Sequence, residues 1–203
     1  MTLIYRNSTA ENKNDFPAVA SLHKRAISQG FLSTLGEEFL ARLYAGIARH
    51  PLSCVIVAQD EYDKIIGFIA GSLSTSLCYR HVIMRNFIRL GMPIFFKLFS
   101  LVNLNKIRET LAYGLTGRDA AESVTAELLS IVVADEARGT GVGRQLVNHL
   151  EHCFREKNFS GTYKVVTSAR DERSNHFYRN LGFRFLRSFM HHRNIMNEYH
   201  KNI

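Results

Sequence analysis

The sequence contains an apolar run that leads through a short polar stretch into alternating glycines and then into an amphipathic pattern. Residues 131–143 read Ile-Val-Val-Ala-Asp-Glu-Ala-Arg-Gly-Thr-Gly-Val-Gly, and residues 144–150 continue with apolar residues at helical spacing. Glycine lacks a Cβ, so the backbone N–H groups of such a loop can approach a ligand closely. The positive end of the following helix faces the same ligand. The pattern predicts a cradle for a pyrophosphate, with Arg138 and Arg144 adding positive charge at its rim.

Two common phosphate-binding loops fit this stretch poorly. A dinucleotide fingerprint needs Gly-x-Gly-x-x-Gly close after a strand, whereas Arg144 occupies the third glycine position and residues 134–138 separate the strand from Gly139. A Walker-type loop ends in Gly-Lys-Ser/Thr, and this stretch does not. The pattern that remains is Arg-x-x-Gly-x-Gly, and an ordinary glycine-rich turn between a strand and a helix is the alternative interpretation.

A second motif lies further along the chain, where residues 174–183 read Ser-Asn-His-Phe-Tyr-Arg-Asn-Leu-Gly-Phe. It predicts a short helix that stops at Gly182, because glycine is the usual residue just past a helix C-terminus. Phe177, Leu181 and Phe183 can then face the core. Taken together and in this order, the two motifs resemble the GNAT superfamily of acyl-CoA-dependent N-acetyltransferases.

The resemblance implies one α/β domain over residues 1–203, built on a mixed α+β sheet. This is the GNAT-like acyl-CoA N-acyltransferase fold, with a helical insert between the third and fourth strands at residues 76–118. Hydrophobic periodicity fits that order of elements. It predicts strands at 3–6, 54–58, 65–73, 124–133, 163–167, 183–190 and 194–199. It predicts helices at 16–27, 39–47 (capped by Thr34), 142–156 and 174–181.

The resemblance also implies acetyl-CoA as the cosubstrate. The glycine loop would hold its pyrophosphate, and the backbone of residues 131–133 would pair with the pantetheine arm, as an extended peptide adds to a sheet edge. That strand would be bulged and splayed from the strand at 163–167. Asn175 would hydrogen-bond within the slot, although the family pattern has an asparagine where this chain has Asp171. The predicted contacts are Ile131, Val132, Val133, Arg138, Gly139, Thr140, Gly141, Val142, Gly143, Arg144 and Asn175.

Acyl transfer from a thioester to an amine needs a base for the amine, a polarised carbonyl and an acid for the departing thiolate. Glu127 is the predicted base, and its spacing before Arg138 is similar to that of the catalytic glutamate in the histone-acetylating branch. A backbone N–H near Val133 would polarise the carbonyl. Tyr178 is the predicted acid, because a phenol of pKa near 10 roughly matches a thiolate. The alternatives are a solvent-facing Glu127, a packing role for Tyr178, and a water chain as the base.

Composition limits the class of protein. The net charge of +8 invites a nucleic-acid interpretation, but Lys and Arg are scattered and the phosphates of a cofactor account for part of the excess, so no nucleic-acid partner is expected. The three cysteines are odd in number and unclustered, and the histidines lack a metal-binding pattern, so no metal site is predicted. The N-terminus shows no signal-peptide pattern, which favours the cytoplasm.

The insert is the least typical part of the sequence. Residues 87–104 are strongly apolar, but Arg89 and Lys97 interrupt them, so no transmembrane span is predicted. Core helices, a lid over the acceptor pocket, a subunit contact in a homodimer, and a membrane-surface patch stay open as interpretations. The insert is where acceptor specificity is expected.

The predicted function is acetyl transfer from acetyl-CoA to a primary amine of a small molecule by direct attack. Two alternatives remain, a protein N-terminal or lysine acetyltransferase and a non-catalytic acyl-CoA sensor.

Overall fold

The computed structural model describes residues 3–9, 11–27, 31–84, 124–191 and 194–203. The strands are β1 (Ile4–Asn7), β2 (Ser53–Gln59), β3 (Ile65–Ser72), β4 (Glu127–Val133), β5 (Thr162–Ser168), β6 (Arg184–His191) and β7 (Asn194–Asn202). The helices are α1 (Asp15–Ala26), α2 (Glu37–Arg49), α4 (Val142–Glu156) and α5 (Glu172–Asn180). Residues 75–84 are also helical and are labelled α3.

The seven strands form one mixed sheet in the order β1-β2-β3-β4-β5-β7-β6. All neighbouring strands are antiparallel except β4 and β5, which run parallel. This arrangement confirms the predicted fold class, an α/β domain on a mixed sheet.

Helices cover both faces of the sheet. Tyr44 of α2 packs edge-on against Phe68 of β3, with ring centroids 5.0 Å apart. A Cβ added to the neighbouring Gly67 would instead meet Leu146 of α4. Because successive residues of a strand face opposite sides, α2 and α4 lie on opposite faces. Helix α1 packs on α2, while Tyr178 of α5 shares aromatic contacts with the α4 face.

Strand β4 has two unequal edges. It pairs with β3 through six residue pairs, but with β5 only at Glu127↔Lys164 and Leu128↔Val165. On the β3 side, Gly71 is opposite Leu128 and Ala70 is opposite Ser130, so Leu129 is an extra, bulged residue. The bulge and the early separation from β5 are the two features that the family resemblance implied for this strand.

Two local predictions need correction. Thr34 does not cap α2, because it lies in a 3₁₀ turn over Phe31–Leu35 and the helix begins after Gly36, whose φ is +90°. The fourth strand begins at Glu127 rather than at residue 124. Most of the predicted insert at 76–118 lies outside the described residues. Among the described helices, none is long and apolar enough to cross a membrane.

Candidate active site

The loop after β4 folds in three steps. A 3₁₀ turn over Asp135–Ala137 follows the strand, and Gly139 and Gly141 then take left-handed backbone conformations, with φ of +79° and +91°. Gly141 is the N-cap of α4 and makes no side-chain capping bond. The first backbone N–H groups of α4 therefore point out of the helix end without an intrahelical acceptor, which is the geometry that binds anions at helix N-termini.

The three glycines of the loop serve different purposes. A Cβ added to Gly139 or Gly141 would meet nothing within 4 Å, so these two positions require glycine for their positive φ and leave the backbone open above the loop. A Cβ at Gly143 would lie 3.1 Å from the ring of Phe177. Gly143 therefore permits the close approach of α4 to α5, which places the helix N-terminus next to the helix that carries Tyr178.

The polar side chains of the loop are used unequally. Arg138 donates from Nε to the carbonyl oxygen of Val133 at 3.1 Å and forms an ion pair with Asp135. Its guanidinium therefore stabilises the conformation of the loop through contacts inside the same segment. Thr140 Oγ1 donates to the carbonyl oxygen of Ala137 at 2.7 Å. Arg144 is exposed on the first turn of α4 and faces solvent at the open end of the loop.

The free edge of β4 leads into this loop. Ile131 and Val133 are half-buried and Val132 is buried, and all three pair with β3 on one side. None of them pairs with β5, within the part of the chain that the structure describes. This leaves a stretch of strand edge beside the gap between β4 and β5, where an amide-bearing chain can add as a strand does.

Tyr178 lies on the aromatic side of the gap. It is 6% exposed, and its ring lies within 5.5 Å of Phe183 and 6.3 Å of Tyr199, measured between centroids. Burial raises the pKa of the Tyr178 hydroxyl, and the charge of Asp171 raises it further. The group is therefore protonated at neutral pH, as a proton donor must be before it acts, but the raised pKa removes the close match to a thiolate on which the sequence prediction rested.

Asn175 is a hub of hydrogen bonds rather than a free amide. Its Nδ2 donates to the carbonyl oxygens of Ser168 and Asp171, and its Oδ1 accepts from Asn197 and from Tyr199. These bonds hold α5 against the end of β5 and the middle of β7. The predicted contact between Asn175 and the cofactor stays a prediction.

The departure from the family pattern at Asp171 has a local explanation. Its carboxylate caps α5, accepting from the backbone N–H of Ser174 at 3.0 Å and from the Ser174 hydroxyl at 2.6 Å. Aspartate is among the best residues for this position.

Glu127 lies on the face of the sheet opposite α4, at the start of β4, where this strand pairs with β5. Its side chain is buried, and its Oε2 accepts from Thr75 Oγ1 at 3.1 Å. Burial raises the pKa of the Glu127 carboxyl, Lys164 and Thr75 hold part of that rise back, and Glu198 adds to it. A carboxylate in this environment is a better proton acceptor than an exposed glutamate.

The structure thus brings the predicted residues together around the gap between β4 and β5. The glycine loop lies at one end, Glu127 lies at the other, and α5 with Tyr178 lies along the aromatic side. Sequence reasoning missed Thr75, Lys164 and Glu198. Each belongs to a different element from Glu127, so only the strand register, which no local pattern reports, could have identified them.

The sequence model of the acetyltransferase (GNAT) family matches residues 17–183. The chain therefore belongs to the GNAT acetyltransferase family, and as such it is an N-acetyltransferase with acetyl-CoA as cosubstrate. No curated protein sequence shows significant similarity to it.

Solved structures agree with the fold. The chain is similar to the ribosomal-protein-S18-alanine N-acetyltransferase of Escherichia coli, at 13% identity over 100% of this chain and 94% of that one, with a TM-score of 0.59. It is similar to Arabidopsis thaliana NAA60 in complex with acetyl-CoA, at 12% identity over 100% and 99% of the two chains, TM-score 0.59. A GNAT-family acetyltransferase of Streptococcus pneumoniae matches equally, at 12% identity over 100% and 99%, TM-score 0.59.

Proposed function

We propose that this enzyme transfers the acetyl group of acetyl-CoA directly to a primary amine of a small molecule. The observation that carries the proposal is the unequal pairing of β4. Its free edge lies beside a gap that has an anion-binding loop at one end and a buried carboxylate of raised pKa at the other. A long, phosphate-bearing thioester and a basic nucleophile can meet in such a gap.

Each part of the loop has a distinct task in holding acetyl-CoA. Backbone N–H groups from Gly139 to Arg144 bind the pyrophosphate, and glycine at residues 139 and 141 keeps that backbone accessible. The Arg144 side chain adds positive charge from the rim, while Arg138 keeps the loop in shape through Val133 and Asp135. The edge of Ile131–Val133 pairs with the pantetheine amides, and Asn175 supports the wall of the slot.

The reaction is a single transfer. The amine nitrogen forms a bond to the thioester carbon while a backbone N–H near Val133 stabilises the oxyanion. Glu127 accepts the proton that the amine loses. The carbon–sulfur bond then breaks, and Tyr178 donates its proton to the departing thiolate. The products are an acetamide and free CoA, and proton exchange with solvent returns Glu127 to its carboxylate and Tyr178 to its phenol.

Three observations favour direct bases and acids over the alternatives in the sequence. Glu127 is buried instead of facing solvent, and it faces the same side of the sheet as α2. Tyr178 packs in the aromatic core and, among the described residues, its hydroxyl has no hydrogen-bond partner, whereas Tyr163 donates to Glu151 and Tyr199 donates to Asn175. The Tyr178 hydroxyl is therefore the phenol of this cluster with a proton to give.

Acceptor size is tested by release of free CoA thiol. Purified protein is first titrated with CoA by calorimetry, then assayed with acetyl-CoA against a panel of amino sugars, amino acids and polyamines, and against peptides with free N-termini or lysines. Turnover with small amines supports the proposal. Turnover with peptides only shows a protein acetyltransferase, CoA binding without turnover shows a sensor, and no heat with CoA overturns the cofactor site.

We also propose a cytoplasmic location and a homodimer. The described cysteines, Cys54, Cys78 and Cys153, are all free thiols, which agrees with a reducing cytoplasm. A homodimer is proposed on the apolar composition of the insert, and sedimentation of the purified protein tests it.

A further inference from the structure

A row of charged side chains crosses three strands on the face that carries Glu127. Glu127 of β4 is directly opposite Lys164 of β5, and Lys164 is directly opposite His200 of β7. Paired residues on neighbouring strands project to the same face, so the three side chains stand side by side. The backbone N–H of Lys164 also donates to the carbonyl oxygen of Ala126 at 2.9 Å, which fixes this lysine to the strand that holds Glu127.

Glu198 completes the row from the next position on the same face of β7. It is 4% exposed, and both of its carboxylate oxygens are used. Oε1 lies 2.7 Å from His200 Nε2, and Oε2 accepts from Arg187 Nε at 2.9 Å. Burial alone would raise the pKa of Glu198, but the hydrogen bonds from His200 and Arg187 and the charge of Lys164 lower it. Glu198 is therefore a fixed negative charge.

Lys164 consequently stands between two carboxylates of different character. Glu127 has one described hydrogen bond, from a neutral threonine, whereas Glu198 is bound by two basic groups. Lys164 acts on both of them electrostatically. An ammonium placed within about 4–6 Å of a carboxylate strongly favours the charged form of that carboxylate. The negative charge of a second carboxylate on the far side of the ammonium offsets part of this effect.

We propose that Lys164, positioned by Glu198, is the residue that keeps Glu127 ionised and ready to accept the amine proton. The inference rests on the proposed role of Glu127 as the base and adds the residues that set its strength. Lys164 does not touch the reacting atoms and acts through Glu127, so it is a positioning residue.

The arrangement answers a conflict that burial creates. A fully desolvated carboxylate would remain protonated and could not act as a base. A carboxylate locked in a close ion pair would be too weak a base. Among the described residues, Lys164 of β5 and Glu198 of β7 act electrostatically on Glu127, and His200 and Arg187 bind Glu198 on its far side. Because these charges alternate in sign, Glu127 is neither kept protonated by burial nor made too weak a base by a close ion pair.

The test measures the pKa of the Glu127 carboxyl directly. Protein labelled with ¹³C at the glutamate side chains is titrated by NMR, and the Glu127 resonance is identified by its loss in Glu127→Gln. We expect Lys164→Gln to raise this pKa by about one unit, at the low end of the effect of a nearby opposite charge. Lys164→Arg, which keeps the charge, should leave it close to the original value.

Lys201→Gln is the matched control. It removes one positive charge from β7, but Lys201 lies opposite Tyr163 and pairs with Glu151 at 2.6 Å on the α4 face. A change of net charge alone would move the Glu127 pKa equally in both glutamine variants. An unmoved pKa in folded Lys164→Gln, or equal movement in Lys201→Gln, overturns the proposal. Should Lys164→Gln fail to fold, Lys164→Met is titrated in its place.

The pH–rate profile separates this inference from the proposed function. An acid limb of kcat/KM that rises to higher pH in Lys164→Gln, and that vanishes in Glu127→Gln, supports both. An acid limb that persists in Glu127→Gln removes the base assignment, whatever the NMR titration shows. A limb that vanishes in Glu127→Gln but does not move in Lys164→Gln removes only the role of Lys164.

Discussion

The two faces of the sheet differ most where β4 separates from β5. On the α4 face, four aromatic rings pack against one another, those of Tyr163, Tyr178, Phe183 and Tyr199. Three of their contacts have ring centroids within 6.3 Å, and the ring planes are tilted or close to perpendicular. On the opposite face, Glu127, Lys164 and Glu198 form an alternating row of charges. This part of the sheet therefore has an aromatic face on one side and a charged face on the other.

This difference separates two chemical requirements of acyl transfer. In the proposed mechanism, the proton donor for the thiolate is the Tyr178 hydroxyl, which the aromatic face keeps neutral. A proton acceptor for an amine needs an ionised group of moderate strength, which only a surface with compensating charges provides. Variants on either face should therefore fail in different ways, and the following predictions run from the largest expected effect to the smallest.

Removing the carboxylate from the charged face should cost most. Glu127→Gln is expected to lower kcat/KM about a thousandfold, within the usual range for general base catalysis, and to abolish the acid limb of the pH–rate profile while CoA affinity is kept. Glu151→Gln is the matched control, since Glu151 is also a buried glutamate but bonds to Tyr163 and Lys201 on the aromatic face. Equal losses in both variants would contradict the division of labour.

Acid should destabilise the protein through a histidine on the same side as the charged face. Burial lowers the pKa of His23 from 6.5 to about 4, and its Nδ1 lies 2.6 Å from the Tyr44 hydroxyl. Between those pH values the His23 imidazole binds a proton in the unfolded chain but not in the native protein. The free energy of unfolding therefore falls as the pH is lowered, by about 3 kcal/mol.

Urea unfolding from pH 7 to pH 4 measures this loss. In His23→Gln the part of the pH dependence between pH 6.5 and 4 should be smaller, whereas in His152→Gln, a surface histidine, it should match the original protein. An unchanged pH dependence in His23→Gln would show that other groups cause the acid sensitivity.

Removing the hydroxyl from the aromatic face should affect turnover but not binding. Tyr178→Phe is expected to lower kcat about a hundredfold, at the low end for general acid catalysis, with the Kd of acetyl-CoA unchanged. Tyr163→Phe serves for comparison, because it removes the hydroxyl of another buried tyrosine whose bond goes to Glu151. That variant should lose stability and keep its turnover. If Tyr178→Phe keeps its kcat, the assigned donor is wrong.

The smallest effect is expected in the glycine loop between β4 and α4. Gly141→Ala forces an L-residue to a φ of +91°, which costs about 1–2 kcal/mol, and we expect that cost to appear as weaker binding of CoA in calorimetry. Gly36→Ala is a close control, since Gly36 also caps a helix, has a φ of +90° and has nothing within 4 Å of an added Cβ. It should lose at least as much stability, because Gly36 has a ψ of 164°, a region that only glycine adopts readily, but it should keep its CoA affinity.

Sequence reasoning succeeded where the signal is local. The bounds of α4, 142–156, were predicted correctly, because the glycines before it and the apolar stripe within it are both visible in the sequence. Gly182 takes the left-handed conformation expected just past α5. Thr34 failed as a cap because a 3₁₀ turn and Gly36 intervene before α2, and capping preference alone cannot exclude such a turn.

Non-local features were beyond the sequence. The environment of Glu127 depends on its register with Lys164, which is set by packing across the whole sheet and not by any motif. A bulge in β4 was implied only by the family resemblance, and its position at Leu129 was not predicted, since nothing in the residues around it differs from an ordinary apolar strand. The site residues assigned to CoA stay predictions until a ligand is bound.

The surplus residue Leu129 also decides from which direction the carboxylate is reached. Without a bulge, the side chains of Glu127, Ile131 and Val133 would all project to the same face of the sheet. That face is the one covered by α4, because Val133 lies beside Gly143. The bulge shifts the alternation by one residue, so Glu127 shares the orientation of Ser130, and its carboxylate lies on the opposite face of the sheet from Tyr178. In the proposed mechanism, this one extra residue therefore places the proton acceptor and the proton donor on opposite sides of the strand that holds the thioester.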